Sequence, residues 1–387
     1  MTDISVAIVG DGLASRVFHV PFIEAVPGLK IKGVVKRSGD PTSISDVETV
    51  YRSYHEAIED PSIDLLVIAT PNDSHYEIAR AAIAADKHLV IDKPITETSV
   101  QALELINAAK QVGTILAPFH NRRFDGDFRT VQSLCESKSL GRIVRIHSAF
   151  DSFQPKVRTS TWRENEGVGS GLLYDLGPHL FDQAISLFGA PKSIFCRIAK
   201  EREGSRVVDA FNTIFEFDQA NGHTIEYHCS ANKISAMPAP RFIIHGTQGS
   251  FTKLGLDPQE DALEARVRVP RWDTGEVWGA EDKANWGELV TMSDEGLTKP
   301  LLREAIPTEA GDYRAFYANV RNAIKDGEPL QVKPEDGLLA IQLIELAIQS
   351  SNQGMALDLS NRLGTQAIKQ APLRKPPVGR AHPLEGQ

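Results

Sequence analysis

Three side chains have the types and the setting for acid–base chemistry. Lys93 follows the apolar run Leu89-Val90-Ile91 in "HLVIDKPIT" (88–96), between Asp92 and Pro94. Asp175 and His179 stand four apart in "LYDLGPHLFD" (173–182). A partly desolvated lysine beside another cationic group could exchange protons near neutral pH. A carboxylate four residues from an imidazole shares its helix face and could orient the ring. Each has a plainer reading: Lys93 as a solvated strand-end lysine, and Asp175 as an N-cap ahead of an ordinary histidine. The Gly177-Pro178 pair suggests a helix beginning near Gly177, because proline suits a first turn.

Such groups need a scaffold. In the first third of the chain, short apolar runs at 4–9, 31–35, 65–69, 89–91 and 115–118 alternate with helical patterns at 14–25, 73–85 and 97–112. Runs apolar on successive residues suit a parallel sheet covered on both faces, and parallel strands need crossover connections. The pattern predicts an α/β domain with a doubly wound parallel sheet over 1–120. Ligands of such sheets lie beyond the carboxyl ends of the strands, where Lys93 falls. Past a helical stretch at 124–137 the pattern changes. A strand at 143–150 and a helical pattern at 173–188 precede strand-like stretches at 192–200, 207–217, 223–231 and 241–245. These predict a C-terminal α+β domain over 121–364 with a mostly antiparallel sheet. Residues 256–310, charged and carrying Trp272, Trp278 and Trp286, read as a surface insertion. Helices resume at 311–325 and 334–351, and 365–387 reads as an irregular, proline-containing tail.

Composition limits the partners. The chain has 387 residues, 41% hydrophobic and 24% charged, ordinary for a soluble globular protein of two domains. A net charge of −9 argues against a nucleic-acid or anionic-membrane surface. No apolar stretch is long enough to span a bilayer, and the N-terminus has no basic, cleavable leader, so a cytoplasmic location is expected. Cys135, Cys196 and Cys229 are far apart without metal or redox spacing. They read as buried small hydrophobes, and no metal is expected.

"VAIVGDGLASRVFH" (6–19) places Gly10 and Gly12, followed by Leu13 and Ala14, between the first strand and the first helix. Gly10 permits a tight turn, Gly12 lets the backbone approach a pyrophosphate, and the helix beyond offers unpaired N–H groups. Ser15 holds the third fingerprint position and asks for slightly looser helix–strand packing. At the end of the second strand an NAD site usually carries an acid; this chain has Lys36, Arg37 and Ser38. Two cations and a hydroxyl suit a 2′-phosphate, so NADP rather than NAD is the expected cofactor.

Together the glycine turn, "TPNDSHYE" (70–77), "DKP" (92–94), "WR" (162–163) and "YDLGPHLFDQ" (174–183) resemble the Gfo/Idh/MocA oxidoreductases, in order and to about residue 355. "FHNRRFDGDF" (119–128) and "GDYRAFYANV" (311–320) are most similar to the NADP-dependent scyllo-inositol dehydrogenases. The resemblance implies a Rossmann domain and an open-faced second sheet that joins subunits into a homodimer or higher homo-oligomer. It implies hydride transfer between a nicotinamide and a secondary alcohol or carbonyl of a cyclitol or sugar. Lys93 would be catalytic, with a cis peptide before Pro94, and Asp175 and His179 would be the acid–base pair. Thr70, Pro71, Asn72 and His75 would line the far side of the cofactor, with Asp92 beside it, and Trp162 and Arg163 would approach from the second domain. Asn121, Arg122, Asp151 and Phe153 would join Lys93 and His179 around a small polyhydroxylated substrate. Asp92 replaces the family's glutamate and is one methylene shorter. The fold also serves ligand sensors that bind a dinucleotide without turnover, and the same site could host another hydride chemistry such as dihydrodiol oxidation. The retained Lys93, Asp175 and His179 favour the dehydrogenase.

Overall fold

A computed structural model describes residues 3–40, 47–157, 164, 166–293 and 300–364. Trp162, Arg163 and the tail 365–387 lie outside the described residues. The first part of the chain runs β1 (Ile4–Val9), α1 (Val20–Ala25), β2 (Leu29–Val35), β3 (Thr49–Tyr51), α2 (Tyr54–Glu59), β4 (Leu65–Ile68), α3 (His75–Ala84), β5 (His88–Ile91), α4 (Ser99–Val112) and β6 (Leu116–Pro118). The six strands are parallel in the order β3-β2-β1-β4-β5-β6, the doubly wound order. Every residue of β4 is buried, as a strand covered on both faces requires. Local signals set the helix ends. A Thr98–Gln101 capping box opens α4, and Gly113, at φ 89°, closes it in the left-handed region.

The rest of the chain runs α5 (Gly126–Ser137), β7 (Ile143–Asp151), α6 (Leu172–Phe188), β8 (Ser193–Ala199), β9 (Ala210–Asp218), β10 (Thr224–Asn232), β11 (Phe242–Gly246), β12 (Gly249–Lys253), α7 (Gln259–Glu264), β13 (Gly287–Thr291), β14 (Leu302–Ile306), α8 (Arg314–Asp326), α9 (Pro334–Gln353) and β15 (Leu357–Asp358). The second sheet has nine strands in the order β14-β13-β12-β11-β7-β10-β9-β8-β15, antiparallel except where β7 meets β10. Along β10, Ile225, Tyr227, Cys229 and Ala231 are buried while Glu226, His228 and Ser230 are half-buried. This period-two pattern marks a sheet covered on one face. Helices α6 and α9 pack on the covered face and on each other.

Two expectations change. The stretch 256–310 is more than a surface insertion: β13 and β14 inside it extend the second sheet, and Leu263, Val269 and Trp278 are buried in a core cluster of the first sheet. Helix α6 begins at Leu172, as the pattern at 173–188 suggested and five residues before the start suggested by Gly177-Pro178, and carries Pro178 inside it. An interior proline costs a helix roughly 3 kcal/mol; here twelve of the seventeen residues of α6 are buried, and that packing offsets the loss. Gly177 has a packing use, since a Cβ there would stand 3.7 Å from Ile344 of α9 and 3.3 Å from Leu173.

The first sheet is not finished by the elements woven through it. One face, with Ala7, Val9, Leu66, Ile68, Leu89 and Ile91, packs on α3 and α4. The opposite face, with Ile4, Val6, Ile8, Leu65, Val67 and Val90, packs on Phe22 and Ile23 of α1 and on Phe316, Tyr317 and Val320 of α8.

Candidate active site

Lys93 emerges two residues past the end of β5, after Asp92, and its peptide bond to Pro94 is cis, as expected. The lysine is 17% exposed, and its Nζ donates to both Oδ1 and the main-chain O of Asp175, each at 2.8 Å. These two residues lie in different domains, so the contact closes α6 over the carboxyl end of the parallel sheet. His179 lies one turn along α6, buried at 6% exposure, with Nδ1 enclosed and without a hydrogen-bond partner. The Asp175 carboxylate, expected to pair with His179, holds the lysine. Burial, then the charges of Lys93, Arg122, His120 and Arg241, push the His179 imidazole well below its ordinary range, so it is neutral near pH 7. A neutral imidazole next to a fixed ammonium can accept a proton from a hydroxyl placed between them.

The turn carrying Lys93 is held from below. His75 is fully buried, and its two ring nitrogens stand 2.9 Å from Thr70 O, past β4, and 2.9 Å from Pro94 O, past β5. It is a strut between two strand ends and does not line the cofactor side. Asp92 accepts from the Lys93 N–H at 2.7 Å, and its other oxygen lies 3.9 Å from His19 Nε2. Burial raises the Asp92 carboxyl, but His19, Lys93 and His75 outweigh it and hold the group below the ordinary carboxylate range. His19 Nδ1 in turn meets Tyr317 Oη at 2.6 Å, which ties the turn to α8.

The glycine turn is built as the fingerprint asks. Gly10 has φ 111°, and a Cβ there would come within 2.6 Å of Ala69 O, so only glycine fits. A Cβ on Gly12 would meet nothing within 4 Å. The protein itself does not require glycine there; the open space over the turn is what a pyrophosphate needs, so the turn fits a dinucleotide. Leu13 is 53% exposed beside it, with Ala14 half-buried. Ser15 does not loosen the packing: it is fully buried and donates its hydroxyl to Gly10 O at 2.8 Å. Past β2, Lys36 pairs with Asp11 at 2.8 Å, while Arg37 and Ser38 are exposed. Asn72 donates to Gly169 O at 2.9 Å, the Thr70 hydroxyl accepts from Ser74 at 2.7 Å, and Pro71 is exposed.

The expected substrate residues divide. Asn121 and Arg122, in a short helical turn after β6, are both buried, and Arg122 is committed to ion pairs with Asp125 and Glu260. Asp151, at the end of β7, accepts from Asn232 Nδ2 at 2.8 Å and Ala239 N at 3.2 Å, and Phe153 is 58% exposed. His120 is a site neighbour that was not singled out. It lies two residues past β6, buried, with neither ring nitrogen hydrogen-bonded and Nε2 4.0 Å from Asp182 Oδ1. Its position past a parallel strand end matches that of Lys93 past β5 and was the available signal. Among the described residues no His, Cys, Asp or Glu group could hold a metal, and no helix is long and apolar enough to cross a membrane.

Known proteins share this arrangement. Residues 4–120 match the NAD-binding Rossmann fold of an oxidoreductase family, and 132–359 match that family's C-terminal alpha/beta domain. The architecture is that of an oxidoreductase with a nucleotide-binding first domain. The chain is 39% identical to the uncharacterized oxidoreductase YdgJ of Escherichia coli, covering 92% of this chain and 99% of the relative. It is 35% identical to the scyllo-inositol 2-dehydrogenase (NADP(+)) IolW of Bacillus subtilis, covering 92% and 96%. The solved structure of yvaA from Bacillus subtilis superposes with a TM-score of 0.85 at 33% identity, covering 93% and 99%. The chain belongs to the Gfo/Idh/MocA oxidoreductase family.

Proposed function

We propose that this oxidoreductase is an NADP-dependent dehydrogenase acting on a secondary alcohol, or the matching carbonyl, of a cyclitol or sugar. The observation that carries the reading is the Lys93 ammonium, fixed at 2.8 Å by Asp175 at the carboxyl end of the parallel sheet, beside the buried, neutral His179. The relationship to an NADP-dependent inositol dehydrogenase supports the substrate class, and the exposed Arg37 and Ser38 past β2 support NADP. Gly10, Gly12 and the helix beyond them would hold the pyrophosphate. The bound nicotinamide supplies the hydride acceptor, or in reverse the donor.

The chain's own residues supply the rest. Lys93 donates a hydrogen bond to the substrate oxygen and stabilises the negative charge that develops there. His179 takes the hydroxyl proton on a ring nitrogen and returns it in the reverse direction. Asp175 positions the ammonium, and His75 and Asp92 position the turn that carries it. The same reading assigns the uncovered face of the nine-stranded sheet, with His147, His228 and His245, to contact with a second copy of the chain.

The test is nicotinamide absorbance over a panel of cyclitols, sugars and dihydrodiols with NADP and with NAD. Turnover of a cyclitol or sugar with NADP is expected, and Lys93→Ala and His179→Ala should each lower kcat by about 100-fold or more. Tight nucleotide binding with no reduction across the panel would make the protein a sensor. Full turnover in either variant would remove that residue from the chemistry.

A further inference from the structure

The carboxyl ends of β1, β2 and β3 lie side by side, and each brings charge to one edge of the sheet. β1 leads into Gly10-Asp11-Gly12, β2 into Lys36-Arg37-Ser38, and β3 into Arg52. The Lys36 N–H donates to Tyr51 O at 2.9 Å, which fixes Arg52, the next residue, against the start of the β2 loop. Arg52 then grips that loop from outside: its Nη1 donates to Lys36 O at 3.2 Å and Gly39 O at 2.7 Å. A guanidinium has five N–H donors. Those two bonds leave the hydrogens on Nε and Nη2, the planar edge that pairs with two phosphate oxygens at once.

Lys36 is spent differently. Its Nζ donates to Asp11 Oδ2 at 2.8 Å and to Asp40 O at 2.5 Å, so its charge is cancelled within the glycine turn. Arg52 has no such partner among the described residues. Glu56 accepts from the Arg52 main-chain N–H at 2.9 Å, not from the guanidinium. Holding two carbonyls needs only a neutral donor. An exposed, anchored guanidinium with no carboxylate partner among the described residues, at a ligand-binding edge in a chain of net charge −9, has a further use.

We propose that Arg52 is a specificity determinant for the 2′-phosphate of the dinucleotide, acting with Arg37 and Ser38, and that Lys36 acts through Asp11 instead of on the phosphate. The inference rests on the NADP reading. The backbone bonds pre-organise the guanidinium, so less freedom is lost when the phosphate arrives. The fingerprint position past β2 does not point to this residue, because it comes from a strand of three residues that follows the loop.

The experiment is calorimetric titration of the full chain with adenosine 2′,5′-bisphosphate and with 5′-AMP, which requires no turnover. Wild type should bind the bisphosphate more tightly. Arg52→Gln, whose amide can still hold the two carbonyls, should weaken bisphosphate binding by about 10- to 100-fold, the worth of one charged hydrogen-bonding contact, and change 5′-AMP binding by less than about two-fold. A variant that keeps the wild-type preference, or one that weakens both probes equally, overturns the proposal and leaves Arg52 a loop buttress. Equal binding of the two probes by wild type instead removes the NADP reading. If Arg52→Gln does not fold, Arg52→Lys keeps the charge without the planar edge and should lose at least about three-fold in preference; an unchanged preference overturns the proposal.

Discussion

Replacing His179 with asparagine removes a titrating group from the buried side of α6. Burial first, then Lys93, Arg122, His120 and Arg241, hold this imidazole below its ordinary 6.5 in the folded chain. The unfolded chain therefore binds its proton first as pH falls. A group depressed in this way contributes stability that is full above its unfolded pKa and drains away below it. One proton is worth about 1.4 kcal/mol per pH unit, and half of it is already bound by the unfolded chain at pH 6.5. Between pH 6.5 and about 5.5, wild type should lose on the order of 1 kcal/mol more than His179→Asn. Urea unfolding of both proteins in parallel cancels the other groups. Asp257 is one that must cancel, since burial and the nearby Asp127 raise it to about 6 and it contributes with the opposite sign. The same neutrality should move the acid limb of kcat/KM for alcohol oxidation below pH 6.5. A wild-type-minus-variant difference that stays flat across the window would refute the argument, because the folded imidazole would then protonate as easily as a free one.

The two glycines of the turn should separate stability from binding. Gly10→Ala forces a Cβ against Ala69 O at φ 111° and should cost about 1–3 kcal/mol in thermal unfolding. Gly12→Ala meets nothing, so it should leave the melting temperature alone and weaken nucleotide binding by titration; the opposite pattern would mean the turn is only structural. His75→Leu removes the ring N–H that donates to one of these carbonyls, Thr70 O or Pro94 O, and the ring that spans them, at about 1–3 kcal/mol, and kcat should fall because the Lys93 turn is no longer held. Unchanged stability in that variant would count against the strut.

The legible parts of the molecule were those set by local pattern. β1, β4 and β5 are apolar on successive residues because both faces are covered, and β9 and β10 alternate because one face is open. β14 escaped because an edge strand exposed along nearly its whole length has no alternation to read. The pattern at 173–188 placed α6 to within one residue, whereas the later start suggested by Gly177-Pro178 failed because packing against α9 overrides that local signal. Lys93, Asp175 and His179 were found as residues, but the pairing among them was not. Spacing along one helix pointed to Asp175 with His179, and it could not show that the fold brings Lys93 from 82 positions away onto the same carboxylate. Four polar residues around the cleft, His19, Arg52, His120 and Tyr317, gain their meaning only from contacts across the chain.

The helix layer contributed by α8 bears on how the protein is made. When residue 120 leaves the ribosome, every strand of the parallel sheet has been synthesised, yet Phe22 and Phe119 still lack Tyr313, Phe316 and Tyr317, whose rings stand against them at 4.9–6.0 Å in the finished protein. Roughly 190 more residues must be translated first, which at about 5–20 residues per second takes about 10–40 seconds. During that interval one face of the nucleotide-binding sheet is covered by α1 alone and leaves apolar surface bare in a crowded cell, so the nascent chain needs shelter or speed. The first domain to be synthesised is among the last to be completed.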